Sequence, residues 1–202
     1  KRLSDALKVH AGLIFDVPET EQLQNSFKRI FPYDDKNEKT DVDWRKVSAF
    51  VSLTKGLCII TGGPGTGKTY AIARIIAILI EHNPYGQLKI ALTAPTGKAA
   101  TRLQESIKKA KPGLNCHDSV KAAIPVEAST IHRLLGAIPN TPSCRFNKEN
   151  PLPFDVIVVD EASMVDLSLF SRLIQAAQPQ SRLILLGDKD QLASVEAGSV
   201  LG

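Results

Sequence analysis

Cysteine is scarce: Cys58, Cys116 and Cys144 are the three in 202 residues, an odd number with no Cys-x-x-Cys or Cys/His spacing. That excludes a disulfide framework and a zinc knuckle, and it fits a reducing, cytoplasmic setting. Aromatic residues are few as well, 5% of the chain with one Trp, so no aromatic-rich platform is present on which bases of a nucleic acid would stack. Long apolar runs are missing. The longest, "AIARIIAILI", is interrupted by Arg74 and is too short to span a membrane, and no cleavable signal precedes it. A strong excess of one charge is missing too: 25 Lys and Arg stand against 21 Asp and Glu, a formal +4, so an anionic partner has to be met by a local patch.

What is there is enough apolar residue, 43% of the chain, to bury one full core with a short appendage. Leu23, Phe27, Ile30 and Phe31 recur at helical spacing and need a partner surface. The polar run "PYDDKNEKTD" then reads as a surface linker, which places a boundary at about residue 41. Asp43 is positioned to cap a helix running to about Thr54, with Trp44, Val47 and Phe50 or Val51 turned inward. From there apolar strands and helices alternate: "GLCIIT", a helix from Gly67 to about His82, "KIALTAP", a helix over "GKAATRLQESIKKA", a long polar stretch, "FDVIVVDE", a helix over "DLSLFSRLIQAA", and "RLILLGD". That alternation predicts an α/β fold, a parallel sheet covered by helices on both faces. Residues 1–41 form the appendage and linker, and residues 42–202 the main domain. Lys1 is not an initiator, and "SVLG" arrives with no closing helix, so the chain reads as a segment of something longer.

The stretch "GGPGTGKT" satisfies G-x-x-x-x-G-K-[ST], the Walker A pattern, between an apolar strand and a helix, where its mechanism requires it. Its glycines let several backbone N–H groups turn onto phosphate oxygens at the positive end of the helix. The expected nucleotide contacts are Gly62, Gly63, Pro64, Gly65, Thr66, Gly67, Lys68, Thr69 and Tyr70; Lys68 reaches the β- and γ-phosphates of ATP and Thr69 ligates Mg2+. An apolar strand delivers Asp160 and Glu161 at its C-terminal end, where open parallel sheets bind ligands. Asp160 is expected to hold Mg2+ through water and Glu161 to polarise the attacking water.

The strand ending "LLGD" belongs beside the phosphate-loop strand, which brings Gln191 near the γ-phosphate. A glutamine amide donates and accepts at once, so it can touch the phosphate or the water on one side and report the loss of either on the other. Two further stretches point to a nucleic-acid track. "TAPTGKAATRL" sets Thr93, Thr96, Gly97 and Lys98 at a strand end and helix start, and "STIHRLLG" brings Thr130, His132 and Arg133 to another short helix start. Hydroxyls and N–H groups so placed can hold backbone phosphates, although ordinary helix capping uses the same residues.

Taken together, "GGPGTGKT", "APTGKAA", "STIHRLLG", "VVDEASMVD" and "LLGDKDQLASVEAGSVLG" resemble, in order, the motifs of the first motor domain of superfamily 1 DNA helicases, and in detail the alpha-subunit (RecD) family of exodeoxyribonuclease V. The resemblance covers about Val42 to Gly202. It implies a RecA-like P-loop NTPase domain with a short helical N-terminal appendage, in a protein that is a 5′-to-3′ ATP-driven motor on single-stranded DNA. It also implies work with the beta and gamma subunits (RecB-like and RecC-like) in double-strand break repair and recombination, with residues 1 to about 31 the end of a partner-docking domain. One departure concerns adenine: Arg45 stands where this group carries a base-reading glutamine, and is expected to bind the nucleotide by stacking on the base without the glutamine's paired hydrogen bonds. Residues 137–153 occupy the place of the family's small inserted subdomain or are a surface loop. Two other readings remain open: a nucleotide-gated DNA- or partner-binding module that does not translocate, and a phosphate-loop kinase or phosphohydrolase.

Overall fold

The computed structural model describes residues 2–16, 20–32, 42–63, 67–83, 86–138, 141 and 143–188. Five strands form one sheet: β1 (Leu57–Thr61), β2 (Ile90–Ala94), β3 (Ala128–Thr130), β4 (Val156–Val159) and β5 (Arg182–Gly187). They lie in the order β1-β5-β4-β2-β3, every neighbouring pair parallel. The connections carry α4 (Lys68–Glu81), α5 (Gly97–Ala110), α6 (Asp118–Ala123), α7 (Ile131–Leu135) and α8 (Leu167–Ala176); α1 (Arg2–Gly12), α2 (Thr20–Ile30) and α3 (Trp44–Thr54) precede the sheet. The expected strand–helix alternation is therefore present, with α5 on the residues that the sequence marks. β3 lies in the stretch read as polar, because a three-residue strand is too short to show a period.

Alternation along each strand divides the core. Val156 and Val158 of β4 and Ile184 and Leu186 of β5 meet α2, α3, α4 and α5, while Ile157, Val159, Leu183 and Leu185 face α7 and α8 on the other side. All of these are at most 1% exposed, as two-faced cover of a parallel sheet requires.

The segment before α3 embraces both faces. Leu3, Ala6 and Leu7 of α1 pack into the α8 side, and Leu23, Ile30 and Phe31 are buried in the α4 side. The stripe on α2 is thus spent on this chain's own core, with Ser26 and Arg29 both donating to Glu81 at the end of α4. Between the two helices, the chain pairs with the entry to β1 through Ile14 and Lys55, and Phe15 N–H donates to Thr54 O at 3.0 Å. Gly56 is required here: a Cβ would stand 2.5 Å from His10 O. His10 is buried and donates from Nδ1 to Ser181 O at 3.0 Å, and Arg182 lays its guanidinium 3.5 Å from the centre of the Phe15 ring.

The inward face expected for α3 is corrected. Asp43 caps the helix as read, accepting from Arg45 N–H at 3.1 Å. Ala49, Ser52 and Leu53 are the buried side, however, whereas Trp44 is 71% and Phe50 46% exposed. α3 lies where α4 and β1 admit small side chains close to the backbone, so size loses to fit. The described part of residues 137–153 is a turn-rich excursion, joined by a bridge between Ala137 and Cys144 and anchored in the core by Phe146 and Leu152.

Candidate active site

Because every strand is parallel, all five C-terminal ends point to one edge, and the chemistry-bearing residues follow those ends. Gly62 follows β1, Asp160 and Glu161 follow β4, and Asp188 follows β5, which lies between them; Gly62 N–H donates to Gly187 O at 3.3 Å. The expected neighbourhood of "LLGD" and the phosphate-loop strand is present, Thr61 facing Gly187. Asp188 is buried. Gln191 lies outside the described residues, as do Pro64, Gly65 and Thr66.

Gly67 caps α4 at φ 80°, in the left-handed region that glycine enters without strain, and this turn aims the first N–H groups of α4 at the edge. Lys68 folds back over the loop, its Nζ donating to the carbonyls of Gly62 and of Gly63, the latter at 2.9 Å. Glu161 has φ 54°, ψ 39°, the one non-glycine residue at positive φ among the described residues. A backbone held there costs free energy, and such costs concentrate at functional positions. The turn sends the Glu161 side chain out of the line of β4, while its N–H donates to Asp160 Oδ1 at 3.0 Å. Burial pushes the Asp160 carboxyl above its ordinary range; the Glu161 N–H opposes this, the Glu161 charge adds to it, and Lys68 opposes it.

Thr69, Asp160 and Glu161 line one wall of a cavity of about 260 Å³. A hydroxyl and a carboxylate that is 8% exposed are hard oxygen donors, and a divalent cation alongside would offset the burial of Asp160; the residues fit Mg2+.

At the other end of the edge, β2 and β3 are neighbours, so Thr96, Gly97 and Lys98 after β2 lie at the same edge as Thr130, which ends β3, and His132 and Arg133, which follow it. Thr96, Gly97, Lys98, His132 and Arg133 are exposed. Thr96 caps α5 by accepting from Ala99 N–H, and Thr130 caps α7 by accepting from Arg133 N–H, each at 3.2 Å. Thr93 does not join them. It is fully buried and its hydroxyl donates to Ser129 O at 2.8 Å, tying β2 to β3, so as a surface phosphate contact it is corrected. Arg45 is engaged by Asp43 in a fork, Nε to Oδ1 at 3.0 Å and Nη2 to Oδ2 at 3.2 Å. Tyr70 faces the Arg74 guanidinium at 5.3 Å, and Arg74 also lies over Phe31 of the α2 region at 5.7 Å.

The family described as AAA domain matches residues 46–197, three quarters of the chain, and so spans all of this edge. The chain belongs to this AAA domain family. Among relatives, it is 47% identical over 99% of its length to the RecBCD enzyme subunit RecD of Haemophilus influenzae, and 50% identical over 78% to that of Mycolicibacterium smegmatis. It spans about a third of the length of these curated relatives, 31% and 29%. The resemblance to the RecD family read from the motifs is borne out. The UvsW helicase of bacteriophage T4, a solved structure, shares the fold with a TM-score of 0.56 over 85% of this chain and 61% of its own, at 15% identity. The expected RecA-like P-loop α/β fold is likewise borne out.

In this AAA domain the opposite wall of the cavity comes from Arg102, Glu105, Ser106 and Lys109 of α5, which motif reading left out. Their spacing of three and four residues was the available signal. It places them on one helix face, opposite the face of Leu103, Ile107 and Ala110 that enters the core. Among the described residues no group of His, Cys, Asp or Glu forms a metal cluster, and no helix is long and apolar enough to cross a membrane.

Proposed function

We propose that this chain is the ATP-binding first motor domain of an ATP-hydrolysing DNA helicase, the RecD-type alpha subunit of exodeoxyribonuclease V, acting in the cytoplasm in repair and recombination of broken DNA. The observation that carries the reading is the meeting of Lys68 and Thr69 with Asp160 and Glu161 at one sheet edge, in a chain 47% identical to a protein named RecBCD enzyme subunit RecD. Residues 42–202 would be the motor domain, and residues 1–41 the end of a partner-docking domain with its linker. The beta and gamma subunits would be the protein partners, and movement on single-stranded DNA would run 5′ to 3′.

In this reading the ammonium of Lys68 turns from the Gly62 and Gly63 carbonyls to the β- and γ-phosphates, within the N–H groups of the loop. Thr69, and Asp160 through water, would hold Mg2+, which when bound would offset charge on the phosphates. Glu161, carried clear of the strand by its left-handed turn, orients the water and takes its proton. Gln191 senses the γ-phosphate. Thr96, Gly97, Lys98, Thr130, His132 and Arg133 hold the DNA backbone at the β2–β3 end of the edge, so that both ligands lie on one rigid sheet. Contacts to phosphates rather than bases imply affinity that falls steeply with salt and varies little with sequence.

The test uses the full-length protein with its partner subunits. ATP hydrolysis should rise on adding single-stranded DNA, a duplex with a 5′ tail should be unwound, and Lys68→Ala should abolish both while leaving the melting temperature in place. Hydrolysis indifferent to DNA would remove the motor reading in favour of a gated binding module.

A further inference from the structure

Hydrolysis of the β–γ bond by one water yields ADP and one orthophosphate, and that orthophosphate has to leave. We infer that the cavity between α5 and the end of β4 is a transient binding site for the released orthophosphate, with Arg102, Ser106 and Lys109 as its donors. The inference rests on the ATPase reading above and extends it to the fate of the product.

The cavity, about 260 Å³, has several times the roughly 30 Å³ that a water occupies in the liquid, enough for a tetrahedral oxyanion with some of its hydration. Its inner wall is Thr69, Asp160 and Glu161, the groups assigned to the reacting phosphate, so product formed there enters without crossing any other part of the protein. Its outer wall is a guanidinium, a hydroxyl and an ammonium, at four- and three-residue steps along one face of α5. None of the three makes a hydrogen bond or ion pair among the described residues, so they are available to a ligand. Ala99, buried at the start of the same helix, keeps the space between the walls open.

The charges set a direction. Once the bond to ADP is broken and Glu161 has released to solvent the proton it took from the water, the carboxylates of Asp160 and Glu161 repel the free dianion, and Arg102 and Lys109 attract it toward solvent. Glu105, between the two cations on the same face, tempers that attraction. The site is therefore a weak one, which a product has to be able to leave. A DNA phosphodiester carries the same anionic oxygens, but its chain continues on both sides and does not fit a pocket closed on the inside by Asp160. The exposed Thr96–Lys98 turn, four to six residues before Arg102, is the part of this helix assigned above to the DNA backbone.

The experiment uses the full-length protein in its assembly and inorganic phosphate as the probe. Cleavage is followed by acid quench and release by a fluorescent phosphate sensor. Inhibition by added phosphate is measured against potassium chloride of equal ionic strength. In Arg102→Gln/Lys109→Gln, the ratio of release rate to cleavage rate should fall, and the inhibition constant for phosphate should rise, each by roughly fivefold or more as charge-assisted contacts are lost. Arg102→Lys/Lys109→Arg should restore both. An unchanged ratio and an unchanged inhibition constant would overturn the site. A loss of DNA affinity with unchanged phosphate inhibition would also overturn it, assigning these cations to the DNA backbone. If the unmodified protein failed to hydrolyse ATP, the ATPase reading itself would fall, a result distinct from normal turnover with indifferent variants.

Discussion

At the scale of the residue, Glu161 combines two features: its position after the buried strand β4, and a left-handed backbone at the turn that ends the strand. The two carboxylates line the same cavity but differ in depth, Asp160 sunk at the sheet edge with its carboxyl raised by burial and Glu161 less buried beside it. Glu161→Gln keeps the shape and removes the proton acceptor. We expect hydrolysis in the full-length protein to slow by roughly 10²-fold or more with ATP affinity retained, as checked by nucleotide binding and quench kinetics on the same preparation. Weak binding with normal turnover would instead make Glu161 a phosphate or metal contact. The chemistry of Lys68, Thr69 and Asp160 is legible from motif and strand position alone. The φ of Glu161 is not, since it depends on the turn that the buried Ala162 and Ser163 impose after β4.

At the scale of the element, sequence patterns hold where a whole period is visible and fail where packing decides. α5 shows four turns of amphipathic pattern and is read to the residue; β3 shows three residues and is not. α3 fails differently, because its aromatic side chains invite an inward reading while the face turned to α4 and β1 carries Ala49, Ser52 and Leu53. Thr93 carries the same lesson: its place in "TAPTGK" suggests a phosphate contact, but a hydroxyl at the last pleat of an inner strand is taken by the strand beside it. Thr93→Val should lower stability by about 1 kcal/mol through the unpaired Ser129 carbonyl, measured by denaturant titration, and leave DNA affinity as it was. A loss of DNA affinity at unchanged stability would return Thr93 to the surface track.

At the scale of the whole molecule, the N-terminal helices are built into both faces of the sheet rather than hung beside it. The linker composition that suggests a boundary cannot show this, because wrapping is made of contacts far apart in sequence. Stability should therefore carry the signature of buried groups in the wrap. Burial holds His10 below its ordinary pKa, as it does His82, so both are neutral in the fold and bind protons more readily once unfolded. That stability is present above the ordinary histidine value of about 6.5 and is lost as pH falls from there through the depressed folded values. The melting temperature should drop between pH 7 and 5, and His10→Gln should flatten part of the drop. A pH dependence identical in that variant would assign the whole effect to other groups.

The bond from His10 to the Ser181 carbonyl also sets a timetable. The partners are 171 residues apart, and at typical synthesis rates the ribosome takes roughly 10–35 s to travel between them. During that interval α1 and the Phe15 ring have been made, but neither the β5 strand nor the Arg182 guanidinium that receive them exists. Helix α1 is thus made well before the groups that fix its place. A nascent chain halted before β5 would present a parallel sheet lacking the strand between β1 and β4, with α1 still exposed to chaperones and proteases.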